Sequence, residues 1–551
     1  MTPRNTPPVL ARSAGAGAEG AWAGGEPPYD GGPRWMRLVP PLVMLGLALS
    51  GITGPSYWRD EGATLAAVQR PFAQLVRMMG HVDGVHGVYY MIIWPLVRAA
   101  GTGEFVTRLP SALAMTVAAG LVAAIGRRLV SPPAGLAAGL VFAVLPQISL
   151  YGQDARSYAM VTAFGAAGSY LLLRAIGAPG RRRGWLAGYA ACMAAMAALN
   201  IFGILLLAAH AVTVALTCLR QDDGRIRPSM AGLRGGQGGK GGEGGEAREG
   251  GAARSLAPGW LAAAAAAVFL ASPVLLLGFE QRGTASWIKA PGPRTVTTLW
   301  QLVGPPHMVI AICVLAGCGL AASALTGRAA LRACWPAMLP AVAVPWLLLP
   351  PGLLIGISFA LPLYVPRYVL YCLPAVALLA GAGLAALGQA AGTGLGRAPE
   401  AGLAPLGWAT GAAALAVIAL LGVGVQVSER GPAGHNDNIR RGDQIVAANM
   451  RPGDAVLYET YDNLWAAYPY GLARLADIAQ YQTPAESGTL AGTVLPAAVV
   501  RQRISGTSRL WVVELRHSSQ VPLLQGLGLR LVSRWHTAGL WLLLYARKPT
   551  S

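Results

Sequence analysis

From residue 38 to residue 427 the chain returns again and again to apolar runs close to twenty residues long, with short polar breaks between them. That length matches the ~20 residues a helix needs to cross a hydrocarbon layer. Inside such a layer every peptide group must be paired within the protein, so only helices or a closed barrel can cross it. Runs this long, without the alternation of a barrel strand, read as helices. Only 12% of the 551 residues are charged, about half the ~25% of a soluble domain. The chain therefore reads as an α-helical polytopic membrane protein.

Eleven spans are predicted, at about 38–54, 108–126, 134–150, 156–175, 184–199, 201–218, 257–279, 308–326, 333–351, 367–388 and 404–427. The formal charge of +19 does not point to nucleic acid, because the basic residues sit in short clusters between apolar runs rather than on one face. The clusters set an orientation instead. Arg34 and Arg37 precede the first run, Arg127–Arg128, Arg174 with Arg181–Arg183, Arg328 with Arg332, and Arg397 fall on the same side, and an odd number of spans puts residues 428–551 opposite. A cytoplasmic N-terminus and an extracytoplasmic C-terminal region are expected, in the plasma membrane. Residues 87–100 are apolar but short and contain Pro95, so they read as a re-entrant or interfacial helix; residues 71–80 read as interfacial, with Leu75, Met78 and Met79 sharing a face.

Three regions follow. Residues 1–35 are a Gly-, Pro- and Ala-rich tail without periodicity. Residues 36–427 form the membrane domain, interrupted at 219–256 by a Gly-rich linker. Residues 428–551 change character: "DNIRRGDQIVAANM" reads as an amphipathic helix, and "AVLYE", "RLWVVEL" and "GLWLLLYARK" as strands, giving a small α/β domain. The six cysteines lie in or beside apolar runs with no Cys-x-x-Cys pair, which argues against a disulfide framework or structural zinc.

Polar groups collect on the outer side. After the first span stand Asp60 and Glu61; then Asp83 and His86; after the third, Asp154, Arg156 and Tyr158; before the tenth, Arg367 and Tyr368; and Lys289 lies in the loop 280–307. Taken singly, each has an ordinary use: a solvated carboxylate at a helix start, or an arginine–tyrosine pair anchoring a helix at the interface. His81, Asp83 and His86 match no standard zinc spacing. Their joint placement at one depth is what argues for an active site.

The order "YWRDEGATL", "DGVHGVYYMIIWPL", "FVTRLPSALAMTVAAGLVAAIGRRL", "AGLAAGLVFAVLPQISLYGQDARSYAM" and "LYVPRYVLYCLPAVALLA" resembles the GT-C superfamily of membrane glycosyltransferases, in the protein mannosyltransferase and aminoarabinose transferase group, over about residues 36–390. His86-Gly87-Val88 stands where relatives commonly have His-Pro-Pro or Lys-Pro-Pro. The resemblance implies a sugar donor carried on a polyprenyl phosphate, an extracytoplasmic acceptor hydroxyl on a protein, lipid or glycan, inversion at the anomeric carbon, and Asp60 as general base, with Glu61 beside it. Arginine forks suit phosphate oxygens, so Arg156 and Arg367, with Lys289, are the candidate donor-phosphate ligands. Glu61 and Asp154 would orient Asp60 or the acceptor, and no metal or cofactor is expected. A transporter or lipid flippase is the alternative class; it calls for midplane charges and internal repeats.

Overall fold

The computed structural model describes residues 32–226, 256–329, 338–393, 404–458, 470, 474–514 and 521–547. The expected tail at 1–31, most of the Gly-rich linker at 227–255, and Arg332 and Arg397 lie outside the described residues.

Among the described residues eight helices are long and apolar enough to cross a membrane, or nine if one bent pair counts as a span. The pair is Pro132–Val144 and Pro146–Gly152, bent by 66°. Pro146 is the cause: it lacks an N–H and forces Leu145 out of the helical region, to φ −63° and ψ 123°. The run expected at 134–150 as one straight span is therefore two helices with a sharp bend between them. Two other expected spans are helices outside that group: Trp35–Leu49, only 15 residues, and Arg182–Leu199, which opens on two arginines. The helix expected to stop at 218 runs on as Leu206–Ile226.

Gly87–Ala100 is a helix of 14 residues. At 1.5 Å per residue it rises about 21 Å, short of the ~30 Å hydrocarbon thickness. It exposes Met91, Ile92 and Leu96. Phe72–His81 buries Leu75 and Met78 and exposes Phe72 and Val76, an amphipathic helix lying beside the bundle.

At the centre of the bundle Leu373–Thr393 is buried along most of its length, while Ala404–Glu429 and Leu256–Glu280 expose Leu420, Val427, Phe269 and Phe279. Small residues let the central helix approach its neighbours. A Cβ on Gly383 would lie 2.0 Å from the Leu315 carbonyl oxygen, and one on Gly319 of Pro306–Ala329 would lie 2.3 Å from that of Leu379. Backbone contact of this kind is how membrane helices gain packing without a hydrophobic driving force.

Beyond Glu429 the chain builds a five-stranded sheet, in the order β2-β1-β5-β7-β6. The strands are β1 (Ala455–Tyr458), β2 (Ala476–Asp477), β5 (Arg509–Glu514), β6 (Leu529–Thr537) and β7 (Leu540–Arg547); β3 (Gln480–Gln482) and β4 (Thr493–Val494) pair separately. β1 runs parallel to β2 and β5; β7 is antiparallel to β5 and β6. Alternation along β5 sorts its faces. Trp511 and Val513 pack with Ile439 and Val446 of helix Ile439–Asn449, whereas Leu510 and Val512 pack with Val500 and Ile504 of helix Ala497–Ser505.

Candidate active site

The loop that follows Trp35–Leu49 is fixed from both sides. Arg440 of the C-terminal region donates to the carbonyls of Thr53, Gly54 and Pro55 and reaches the Glu104 carboxylate at 2.6 Å. The Tyr470 hydroxyl donates to Glu104 at 2.6 Å and accepts from the Tyr57 amide at 3.0 Å. The loop leads into the short helix Arg59–Val68, whose first turn carries Asp60 and Glu61. Neighbouring positions on a helix face about 100° apart, so the two carboxylates go to different places.

Glu61 points inward and is fully buried. Its oxygens take Arg108 Nε at 2.8 Å, Arg108 Nη2 at 2.7 Å and the Ala155 amide at 2.8 Å; the Trp58 amide lies 3.3 Å away. Burial pushes the Glu61 carboxyl up, but Arg108's charge and hydrogen bonds outweigh it and hold the group below the usual carboxylate range. Arg108 spends its remaining donors on the carbonyls of Ile52, Pro55 and Ser56. It is the Arg of the "RLPS" stretch, and sequence reasoning gave it no site role. Asp154 lies beside this pair, takes the Trp58 indole N–H at 3.0 Å through Oδ1, and has its carboxyl raised by burial and by Glu61's charge.

Asp60 points to the open side, where about a quarter of its side chain is exposed. Arg367 Nη2 meets its Oδ2 at 3.1 Å, and Arg367 Nε donates to the Tyr158 hydroxyl at 3.0 Å. The Arg367 guanidinium carbon lies 5.6 Å from the Trp58 ring, 5.7 Å from Tyr368 and 6.0 Å from Trp287. Tyr368 in turn stacks on Phe202 at 5.1 Å. Arg156 closes the floor: Nη1 donates to the Asp60 carbonyl at 3.3 Å, and Nη2 lies 2.8 Å from His86 Nε2. Arginine can only donate, so that imidazole nitrogen accepts. Burial, then the Arg156 and Arg367 charges, hold the His86 pKa well below its ordinary value, so His86 is neutral. Asp83 Oδ1 lies 3.8 Å from His86 Nε2, and its other oxygen accepts from the Tyr90 hydroxyl; burial raises the Asp83 carboxyl.

Nine of the ten residues singled out from the sequence thus occur in one contiguous assembly: Asp60, Glu61, Asp83, His86, Asp154, Arg156, Tyr158, Arg367 and Tyr368. They divide into an open layer around Asp60 and Arg367 and a buried layer around Glu61 and Arg108. Lys289 is exposed in the outer loop, where it lines a cavity of about 640 Å³ with Trp287, Arg294, Tyr364 and Val365; the Trp287 ring also flanks Arg367. His81 bonds its own helix at the Arg77 carbonyl, away from Asp83 and His86. Besides Arg108, sequence reasoning missed Trp58 and His435, the latter 3.6 Å from Glu61.

The fold is similar to that of ArnT from Cupriavidus metallidurans. The apo structure superposes with a TM-score of 0.56 at 13% identity, covering 92% of this chain and 97% of that one. The same protein bound to undecaprenyl phosphate gives 0.54 at 14% identity, with the same coverage. The family model for dolichyl-phosphate-mannose-protein mannosyltransferase matches residues 87–230. No curated protein sequence matches the chain significantly. The chain is a multi-pass membrane protein with the GT-C fold.

Proposed function

We propose that the chain is an integral-membrane glycosyltransferase that moves a mannose-like sugar from a polyprenyl phosphate to an acceptor hydroxyl outside the cytoplasm, with inversion. The observation that carries this reading is the Asp60–Arg367 pair, a partly exposed carboxylate held 3.1 Å from a guanidinium. The lipid-phosphate carrier is supported by the family description, which names dolichyl-phosphate-mannose, and by the ArnT structure with undecaprenyl phosphate.

Arg367 engages one Asp60 oxygen and leaves the other to an acceptor. Asp60 takes the proton of the acceptor hydroxyl as that oxygen attacks the anomeric carbon. The bond from that carbon to the phosphate oxygen breaks, its electron pair stays on the phosphate, and the configuration inverts. Charge developing on the leaving phosphate is met by Arg367, whose fork suits paired phosphate oxygens, with Arg156 behind it. Neutral His86 accepts from Arg156 and so fixes it without competing for the phosphate. Glu61 and Asp154 are positioning residues: both are buried and hold the Asp60 turn through Arg108, Ala155 and Trp58.

The test is Asp60→Asn, assayed for release of labelled sugar from a defined polyprenyl-phosphate donor in membranes at equal protein level. General-base assistance contributes roughly 10²–10⁴ in rate, and a loss of that size is expected. An unchanged rate would remove Asp60 from the mechanism.

A further inference from the structure

We propose that Glu61, Asp154 and His435 form a binding site for one divalent cation of the zinc class, which pins the segment after the last span onto the helix that carries Asp60. The site shares Glu61 and Asp154 with the transferase reading, in which they hold the Asp60 turn, and lies behind that turn.

His435 belongs to the turn between Ala404–Glu429 and Ile439–Asn449, yet only 4% of its side chain is exposed. Neither ring nitrogen makes a hydrogen bond, and the same holds for Oδ2 of Asp154. Buried polar atoms of this kind are normally paired. The donor atoms of all three residues lie within 4.8 Å of one another. His435 Nδ1 is 3.6 Å from Glu61 Oε2. That is longer than the ~2.7–3.2 Å usual for an N–H···O bond. It suits two ligands on one ion, each about 2.0–2.2 Å from it and so up to about 4.4 Å apart.

The donor set names the class. One imidazole with two carboxylates is a nitrogen–oxygen set that borderline divalent ions accept, with no thiolate to favour softer ones. The sequence reading expected no metal because cationic side chains can meet the charge on a leaving phosphate; His435, 281 positions beyond Asp154 in a polar turn, fits no recognisable ligand spacing. The three ligands come from the first outer helix, the turn after the third expected span and the approach to the C-terminal domain, so an ion there ties three separate parts of the chain together.

The test uses full-length, tag-free protein in detergent, stripped with a chelator, reloaded with zinc and assayed by elemental mass spectrometry. About one zinc per chain is expected in the wild type, as for a preformed structural site. Asp154→Asn and His435→Gln should each lose affinity by more than the roughly 10–100-fold that an outer-shell partner costs. His81→Gln should bind as the wild type does. Cobalt loaded into the unmutated protein should give visible ligand-field bands, a readout that does not depend on any variant folding. A protonated His435 bridging the two carboxylates predicts no zinc uptake and no bands; that result overturns the proposal, as does a His435→Gln protein that binds zinc like the wild type.

Discussion

At the scale of single residues the sharpest division is between Asp60 and Glu61, adjacent in the chain and opposite in use. Both were legible as polar groups at the outer face, as were Asp154, Arg156 and Arg367, because a charge beside an apolar run needs a reason to be there. Their partners were not legible. Arg108 sits near the start of a long apolar run and bonds a carboxylate 47 positions earlier, and His435 hides in a turn of Gly, Ala and Asn. Nothing local marks His435, and Arg108 stood out only as part of the "RLPS" stretch, without a partner. The Glu61–Arg108 pair carries a prediction. Both side chains are fully buried, and removing one partner of such a pair costs roughly 3–5 kcal/mol, whereas replacing both with apolar residues is far less harmful. Arg108→Met and Glu61→Gln should each lower the thermal unfolding temperature in detergent sharply, and Glu61→Leu with Arg108→Met should recover only part of the loss, because the Ala155 amide and the carbonyls of Ile52, Pro55 and Ser56 lose their partners. Equal damage from the double variant would mean that the pair does more than satisfy itself.

At the scale of elements, periodicity found the spans and three of the strands, and failed where apolarity and structure part company. One apolar run at 134–150 hides a 66° break, because Pro146 changes backbone geometry without interrupting hydropathy. β6, "LRLVSRWHT", was not read as a strand: it is an edge strand, exposed along much of its length, so no buried stripe betrays it. β5, the central strand of the sheet, offers a test at this scale. Asp454 accepts Arg509 Nε at 2.8 Å and the Trp511 indole at 2.9 Å. Burial pushes the Asp454 carboxyl up, but these hydrogen bonds outweigh it and hold its pKa down. The folded value lies below the unfolded ~3.9, so the stabilisation is fully present above that pH and is lost as pH falls through 3.9 toward the folded value. Asp454→Asn should loosen β5 at neutral pH, seen as faster hydrogen exchange of its amides, and the difference from wild type should shrink on acidification below about pH 4. A difference that persists at low pH would assign the effect to packing.

At the scale of the whole molecule, the helix Glu104–Leu129 serves as a ruler. Its first residue is bound by Arg440 and Tyr470 of the C-terminal region, and its last turn carries Arg127 and Arg128. The site and the C-terminal domain therefore lie at the end opposite these arginines, the end that the positive-inside tendency assigns to the outside. In intact cells a membrane-impermeant thiol reagent should label Gly283→Cys, near the site, and leave Gly180→Cys, beside Arg181–Arg183, unlabelled until the membrane is opened. The reverse pattern would invert the orientation and with it the need for a lipid-borne donor. The general architecture was legible because the bilayer imposes a length on every crossing element. The docking of the C-terminal domain was not, because it rests on a few side chains, such as Arg440 on the carbonyls of residues 53–55, that any surface arginine could resemble.

The aromatic rings around Arg367 have a consequence for what else could occupy that position. A flat, weakly hydrated guanidinium can lie among Trp58, Tyr368 and Trp287 while its edge still serves Asp60 and Tyr158. A lysine brings a compact head with a tightly held water shell, and three rings leave that shell no room. Position 367 is thus closed to the commonest exchange of one cation for another, although the net charge would not change.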